Sequence, residues 1–362
     1  MITILIPTLN RPDHLKRILS YYNDYQIAHS IIVADSSSDE NKELNKRVIS
    51  SFSNINISHI DNYPLATNIY GKLSDALNSV NTKYCVFCAD DDFITPNGIN
   101  QSVDFLEHAP DFTVAHGLYI RFWVESNEAE TRFCWELVYF PPGIKTYLKP
   151  ADALSHVSTK SSITFPDAEK RLRYHLSNYF MSTFYAVHRT DFLKLILDEA
   201  LKFTTDYQFA ELLPSMLTLI YGKMKCLDVL YNVRDKDSVR FAHLPSVGDF
   251  VKAGTYNEKY VRFRDYLAMH LSKESKLDAA ASKKVIDDAM SVYMKRYTYR
   301  QVLLYKIGGV LDYLPDRMNK GIRALYRKLF LSRQVPNFST ELPPSSEYYD
   351  DFNKIRLHVL SH

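Results

Sequence analysis

The chain has 362 residues, 46% of them hydrophobic and 24% charged, with 44 Lys and Arg against 42 Asp and Glu. That length suggests two domains or one large domain with an appendage, and the composition excludes a collagenous or disordered chain. A net charge of +2 carries no nucleic-acid footprint in the sum. The scattered Cys85, Cys88, Cys134 and Cys226 make no disulfide framework and point to a reducing compartment.

Residues 2–6 are apolar, rich in β-branched side chains and stopped by Pro7, which reads as a buried strand. Pro12 opens a helical pattern through Leu15, Ile18 and Leu19. A second buried strand, 30–35, ends at Asp35-Ser36-Ser37, and a helix over 41–51 and a strand over 55–60 follow. Leu73, Ala76, Leu77 and Val80 mark a further helix, and Tyr84–Ala89 is a fourth strand running into Asp90-Asp91-Asp92. Strands alternating with helices predict an α/β fold with a mostly parallel sheet. Beyond residue 113 the sequence predicts strands over 113–124, 133–140 and 227–233 and helices over 191–201 and 207–221. After Pro245 it reads as helical, and 336–362, with Pro343-Pro344-Ser345-Ser346, as an extended tail. The expected units are 1–245, 246–335 and 336–362. The N-terminus lacks a basic leader and no run of about 18 apolar residues occurs, so a cytoplasmic protein without a spanning helix is expected.

In a parallel α/β sheet, ligands bind beyond the carboxyl ends of the strands. Three polar clusters fall there: Pro7–Arg11, Asp35-Ser36-Ser37 and Asp90-Asp91-Asp92. Adjacent carboxylates repel unless a cation or solvent neutralises them. Hard oxygen ligands suit Mg²⁺ or Mn²⁺, which commonly bridge one or two carboxylates to substrate phosphates. The competing reading is a solvated acidic turn or helix cap.

Ile4–Arg11, the strand ending in Asp35, and Phe87–Asp92 leading to Pro96 together resemble the GT-A glycosyltransferases. The resemblance spans about residues 1–240 and is strongest to the family 2 type, whose opening often reads hydrophobic-Pro-Thr-Tyr-Asn-Arg. It implies a GT-A catalytic unit with a C-terminal helical appendage, a nucleotide-diphosphate sugar donor, Mn²⁺ or Mg²⁺, and a glycan or lipid-linked acceptor. Bacterial surface polysaccharide or glycoconjugate synthesis is the setting it suggests. By resemblance, Pro7, Thr8, Asn10, Arg11, Asp35 and Ser36 contact the nucleobase and ribose, and Lys72 approaches the pyrophosphate. Asp90, Asp91 and Asp92 form the Asp-x-Asp element for ribose and metal. Counting back from Pro96 makes Asp91 the metal ligand, whereas a literal Asp-x-Asp gives Asp90 and Asp92.

The family's second acidic motif lies about eleven residues before a Gly, and that spacing from Gly222 reaches Glu211, preceded by Ala210. Glu211 is the expected general base, with Asp206 as second choice. His243 is the expected third metal ligand, and Arg234 or Arg240 the cation for the leaving diphosphate. Ala89 and Ala210 stand where acids are common, which keeps open a degenerate nucleotide-sugar-binding or scaffolding module. A haloacid-dehalogenase-type phosphatase needs Thr or Val two positions past its second Asp, where this chain has Ile94. A nucleotidyltransferase needs a Gly-rich loop after the first strand, and no Gly precedes Gly71.

Cys85 and Cys88 face opposite sides of one strand, which argues against zinc. The insertion 156–175 reads as a solvated loop or an acceptor lid, and Trp123 and Trp135 as sugar-stacking or buried aromatics. Residues 291–333 hold ten Lys and Arg against Asp312 and Asp316, about +8, leaving about −6 elsewhere. Ile322, Leu325, Tyr326, Leu329 and Phe330 follow helical spacing beside Arg323 and Arg327. A basic amphipathic helix of this kind suits the inner face of an anionic membrane, or an ordinary helix packed on the catalytic unit.

Overall fold

The computed structural model describes residues 1–126, 130–138, 161–178, 183–202, 207–236, 256–311 and 338–361, with backbone alone for 207, 208, 210, 211, 256 and 296–311. The strands β1 (Thr3–Thr8), β2 (Ser30–Asp35), β3 (Asn56–Ile60) and β4 (Tyr84–Phe87) pair in parallel in the order β3-β2-β1-β4. Their crossovers are α1 (Pro12–Asp24), α2 (Asp39–Ser50) and α3 (Ile69–Leu77). Pro12 starts α1, and the Asn68 side chain caps α3 by accepting from the Tyr70 amide at 2.9 Å.

Past β4 the sheet becomes mixed. After β5 (Phe93–Ile94) and α4 (Pro96–His108), the long β6 (Phe112–Ser126) runs beside β7 (Thr131–Leu137), to which it is antiparallel. The helix α5 (Ala168–Ser177) and a single 3₁₀ turn (Thr183–Tyr185) precede β8 (Val187–Arg189), which joins β4 to β6. Two more helices, α6 (Thr190–Leu201) and α7 (Tyr207–Tyr221), lead to β9 (Lys223–Asp235), parallel to β6 and antiparallel to β5. Gly222 fits the turn from α7 into β9 because a Cβ there would strike Thr113. Beyond lie α8 (Tyr256–Glu274), α9 (Ala279–Leu311), β10 (Phe338–Ser339) on the edge of β7, and α10 (Tyr349–Ser361).

Side-chain alternation splits the core across the sheet. Ile4, Ile6, Val86 and Cys88 pack with α1, α4 and α10, whereas Leu5, Cys85 and Phe87 pack with α3, α6, α7, α8 and α9. The Cys-x-x-Cys pair therefore serves two opposite cores. Trp135 is fully buried, and Trp123 lies 3.9 Å from the Lys236 ammonium.

Two expectations are corrected. Residues 349–361, expected as extended tail, form α10, whose Phe352 packs on Phe133 and Trp135 while Tyr25 donates to Asp351 at 2.9 Å. The Phe352, Ile355, Val359 spacing places one apolar stripe against the sheet, and that burial outweighs the nearby prolines. The second half of the expected solvated insertion forms α5. There Arg171 is buried and donates to the Leu219, Ile220 and Pro166 carbonyls at 2.7–2.8 Å, closing the end of α7. Residues 312–337, including the basic stripe at 322–330, lie outside the described residues.

Truncating a buried aromatic removes transfer energy and leaves a cavity. Phe352→Ala is expected to lower stability by about 3 kcal/mol in urea unfolding, and a loss under about 1 kcal/mol would mean that α10 does not seal the sheet.

Candidate active site

The carboxyl ends of β2, β1 and β4 lie side by side, with Thr8 in register with Asp35. Asn10 turns the chain from β1 into α1 at φ 54°, a left-handed conformation that Asn tolerates. Its amide donates to Ser37 Oγ and its Oδ1 accepts from the Ser38 amide, both at 2.8 Å. These bonds stitch the two strand-end loops together. Pro7 is half-buried on β1, and Ser36 is buried at the end of β2.

Asp35 is fully buried. Its Oδ1 accepts from the Ser37 amide at 2.9 Å, and its Oδ2 lies 2.8 Å from Asn45 Nδ2 and 3.1 Å from His59 Nε2. Burial raises its carboxyl, but the His59, Ser37 and Asn45 hydrogen bonds overcome this and hold it at about 2. Both oxygens serve the loop in this arrangement. Lys72 is likewise turned inward: its ammonium donates to the Thr8 carbonyl at 3.0 Å and Ser36 Oγ at 2.9 Å. It ties the floor of the cleft together.

The three acids after β4 stand on cationic, hydroxyl and backbone supports. Asp90 accepts from Thr8 Oγ1 at 2.7 Å and lies 3.4 Å from Arg11, which also pairs closely with Asp91. Arg17 donates to the Asp91 carbonyl at 2.9 Å and to Asp235 at 3.2 Å. Asp92 accepts from Arg234 Nε at 3.2 Å and from the Asp235 amide at 3.1 Å. Burial pushes the Asp92 carboxyl up to about 7, opposed by Arg234 and reinforced by Asp91. Arg234 lies 4.9 Å over the Tyr185 ring and keeps about a third of its side chain exposed, so a cation faces the cleft.

Pro7, Thr8, Asn10, Arg11, Asp35, Ser36, Lys72, Asp90, Asp91, Asp92 and Arg234 are thus gathered at one end of the sheet. Glu211 belongs to the first half of α7, and only its backbone is described. Asp206, His243 and Arg240 lie outside the described residues. The sequence reasoning missed Arg17, Asn45, His59 and Asp235. For Asn45 a signal existed: it shares i, i+3, i+4 spacing with Val48 and Ile49 and so falls on the apolar face of α2, where it is buried.

No group of three or more His, Cys, Asp or Glu able to hold a metal occurs among the described residues. The acids therefore do not fit a cation caged by protein. Their hard oxygens do fit one held by one or two carboxylates and completed by substrate phosphates.

With this geometry in place, comparison is informative. Residues 3–173 match the model for Glycosyl transferase family 2, just under half of the chain. That stretch is similar to the family 2 glycosyltransferases. No curated protein matches significantly. Among solved structures, S. aureus TarS 1–349 in complex with UDP-GlcNAc aligns at TM-score 0.51 and 12% identity, covering 96% of this chain and 98% of that one. Against the longer S. aureus TarS chain the TM-score is 0.46 at 12% identity, with 82% of this chain covering 43% of that chain. The Pyrobaculum calidifontis mannosyltransferase PcManGT, in complex with GDP-Man and Mn²⁺, aligns at TM-score 0.41 and 13% identity over 92% and 87%. The fold is that of the GT-A glycosyltransferases, with a sheet parallel around β1 and a mixed extension. No described helix is long and apolar enough to cross a membrane.

Asp35 holds its charge through native hydrogen bonds, so its stabilisation is present above the ordinary carboxylate range and fades as pH falls from about 4 toward 2. Asp35→Asn is expected to cost about 1–2 kcal/mol at pH 7. The deficit should shrink in acid unfolding curves below about pH 4, and an unchanged deficit at pH 2.5 would contradict the loop-holding role.

Proposed function

We propose that this protein transfers a sugar from a nucleotide-diphosphate donor to a glycan or lipid-linked acceptor, with Mn²⁺ or Mg²⁺ as cofactor. The observation that carries this reading is the row Asp90–Asp92 at the carboxyl end of β4, paired with Arg11 and Arg234 and held at the Asp91 carbonyl by Arg17. The family match over 3–173 supports it, as does the UDP-GlcNAc complex of TarS, which shares the fold.

In this reading the loops after β1 and β2 bind the nucleoside, with Asn10 and Ser36–Ser38 providing backbone and hydroxyl groups. Asp35 and Lys72 hold those loops in position from below. Asp91 and Asp92 hold the cation, joined by His243, and Asp90 contacts the donor. A bound divalent cation supplies charge neutralisation for the departing diphosphate. Arg234, exposed beside Asp92, orients that diphosphate and accepts its developing charge. Glu211 takes the proton from the acceptor hydroxyl, and Asp206 is the alternative base. The basic stripe at Arg323 and Arg327 suits a peripheral position on an anionic membrane, as a lipid-linked acceptor in surface polysaccharide synthesis requires.

The test is release of UDP or GDP from a panel of UDP- and GDP-sugars with Mn²⁺. Wild type should release nucleotide from at least one donor, and Glu211→Gln should slow release by about 10²–10⁴ while still binding the donor. Donor binding without release in wild type would favour the degenerate binding module. For the membrane, flotation with phosphatidylserine liposomes should recover wild type, and recover much less of the Arg323→Glu/Arg327→Glu variant. Equal recovery would end the membrane assignment.

A further inference from the structure

The three arginines around the acids are not held alike. Arg17 lies 5.3 Å from the Phe93 ring and 5.8 Å from the Phe122 ring, and donates to the Asp91 carbonyl and to Asp235. Arg234 lies over the Tyr185 ring and donates to Asp92, whose other oxygen accepts from the Asp235 amide. Arg11 instead ends on carboxylates: its Nη1 pairs closely with Asp91 and lies 3.4 Å from Asp90. The Arg11 and Asp91 side chains are 13% and 14% exposed, against 3% for Asp92, so solvent reaches this pair.

The backbone under Arg11 is pinned. Asn10 is bonded to Ser37 and Ser38, and the Arg11 carbonyl accepts from the Leu15 amide at 3.0 Å to open α1. A change of partner by the guanidinium therefore needs side-chain rotation alone, with the loop in place. Side chains in contact with solvent rotate far faster than loops rearrange. Asp91 is also one of the two acids assigned above to the cation. A carboxylate matched by a guanidinium has lost much of its attraction for a second cation, and the two positive charges repel at this range.

We propose that Arg11 is an exchangeable counter-ion, which occupies Asp91 until a nucleotide diphosphate takes over its guanidinium and frees the carboxylate for the cation. The inference rests on the cation-dependent reading above. The guanidinium fork suits phosphate as well as carboxylate, so Arg11 stays paired in both states. Before the exchange Asp91 is neutralised by Arg11, and after it by the cation, while Arg11 meets phosphate charge. Arg11 thus makes cation binding wait for the nucleotide. By linkage, the nucleotide raises cation affinity by the same factor by which the cation raises nucleotide affinity.

The test is Mn²⁺ binding, read as free Mn²⁺ by electron paramagnetic resonance, with and without saturating UDP or GDP. Wild type should bind Mn²⁺ alone about 10-fold or more weakly than with one of the nucleotides. Arg11→Gln should bind Mn²⁺ alone about 10-fold more tightly than wild type, as loss of one partly exposed ion pair predicts, and its gain from nucleotide should fall by a similar factor. Arg17→Gln removes the same charge without freeing Asp91, and should change the binding of Mn²⁺ alone by less than about 3-fold. Melting curves check each variant. If Arg11→Gln does not fold, Arg11→Lys, which keeps the charge but loses the fork, decides with an expected gain of about 3-fold. Equal Mn²⁺ affinity with and without nucleotide in wild type, no tighter binding by the Arg11 variant, or an equal gain in Arg17→Gln overturns the exchange. No Mn²⁺ binding by wild type even with nucleotide instead overturns the cation-dependent reading itself.

Discussion

Three carboxylates at the end of one strand cannot lie together uncompensated, and the surroundings of β4 answer that constraint. Arg11 and Arg17 reach it from the β1–α1 side, and Arg234 from the end of β9. Thr8 and the Asp235 amide supply further contacts. Like charges a few ångströms apart repel strongly in a low-dielectric setting, so every element carrying one of these donors is held to the others. The parallel half of the sheet and its mixed extension meet at this network. Under the proposed function, substrate phosphates and a cation would exchange one set of charge partners for another here, with no new charge brought into a dry interior.

The division of labour among polar residues follows from burial. Asp35 and Lys72 are as deeply placed as the apolar core, and each spends its hydrogen-bonding capacity on loops and strand ends. Asp91, Arg11 and Arg234 keep some exposure and so remain available to a ligand. Residues that a family pattern groups together as donor contacts thus separate physically into those that shape the cleft and those that face it.

Much of this was legible in the sequence because it is local. Apolar runs of four to six residues, each ending in polar clusters at Asn10, Asp35 and Asp90, mark the parallel strands and their carboxyl ends. What escaped is non-local. Arg17 and Asp235 meet across 218 positions and Arg234 and Asp92 across 142, separations that no spacing rule encodes. β8, a strand of three residues, is too short to show a period, yet it joins β4 to β6. The Phe352–Ile355–Val359 stripe did have helical spacing, but the prolines before it suggested an extended tail.

The central claim is that the acids after β4 and the arginines around them form a cation-dependent nucleotide-diphosphate site. Thermal melting with UDP and GDP, each with Mn²⁺ and with EDTA, tests it most directly. Wild type should gain stability with at least one nucleotide only when Mn²⁺ is present, and Asp92→Ala should lose most of that gain. Equal melting of both proteins under all conditions would contradict the account.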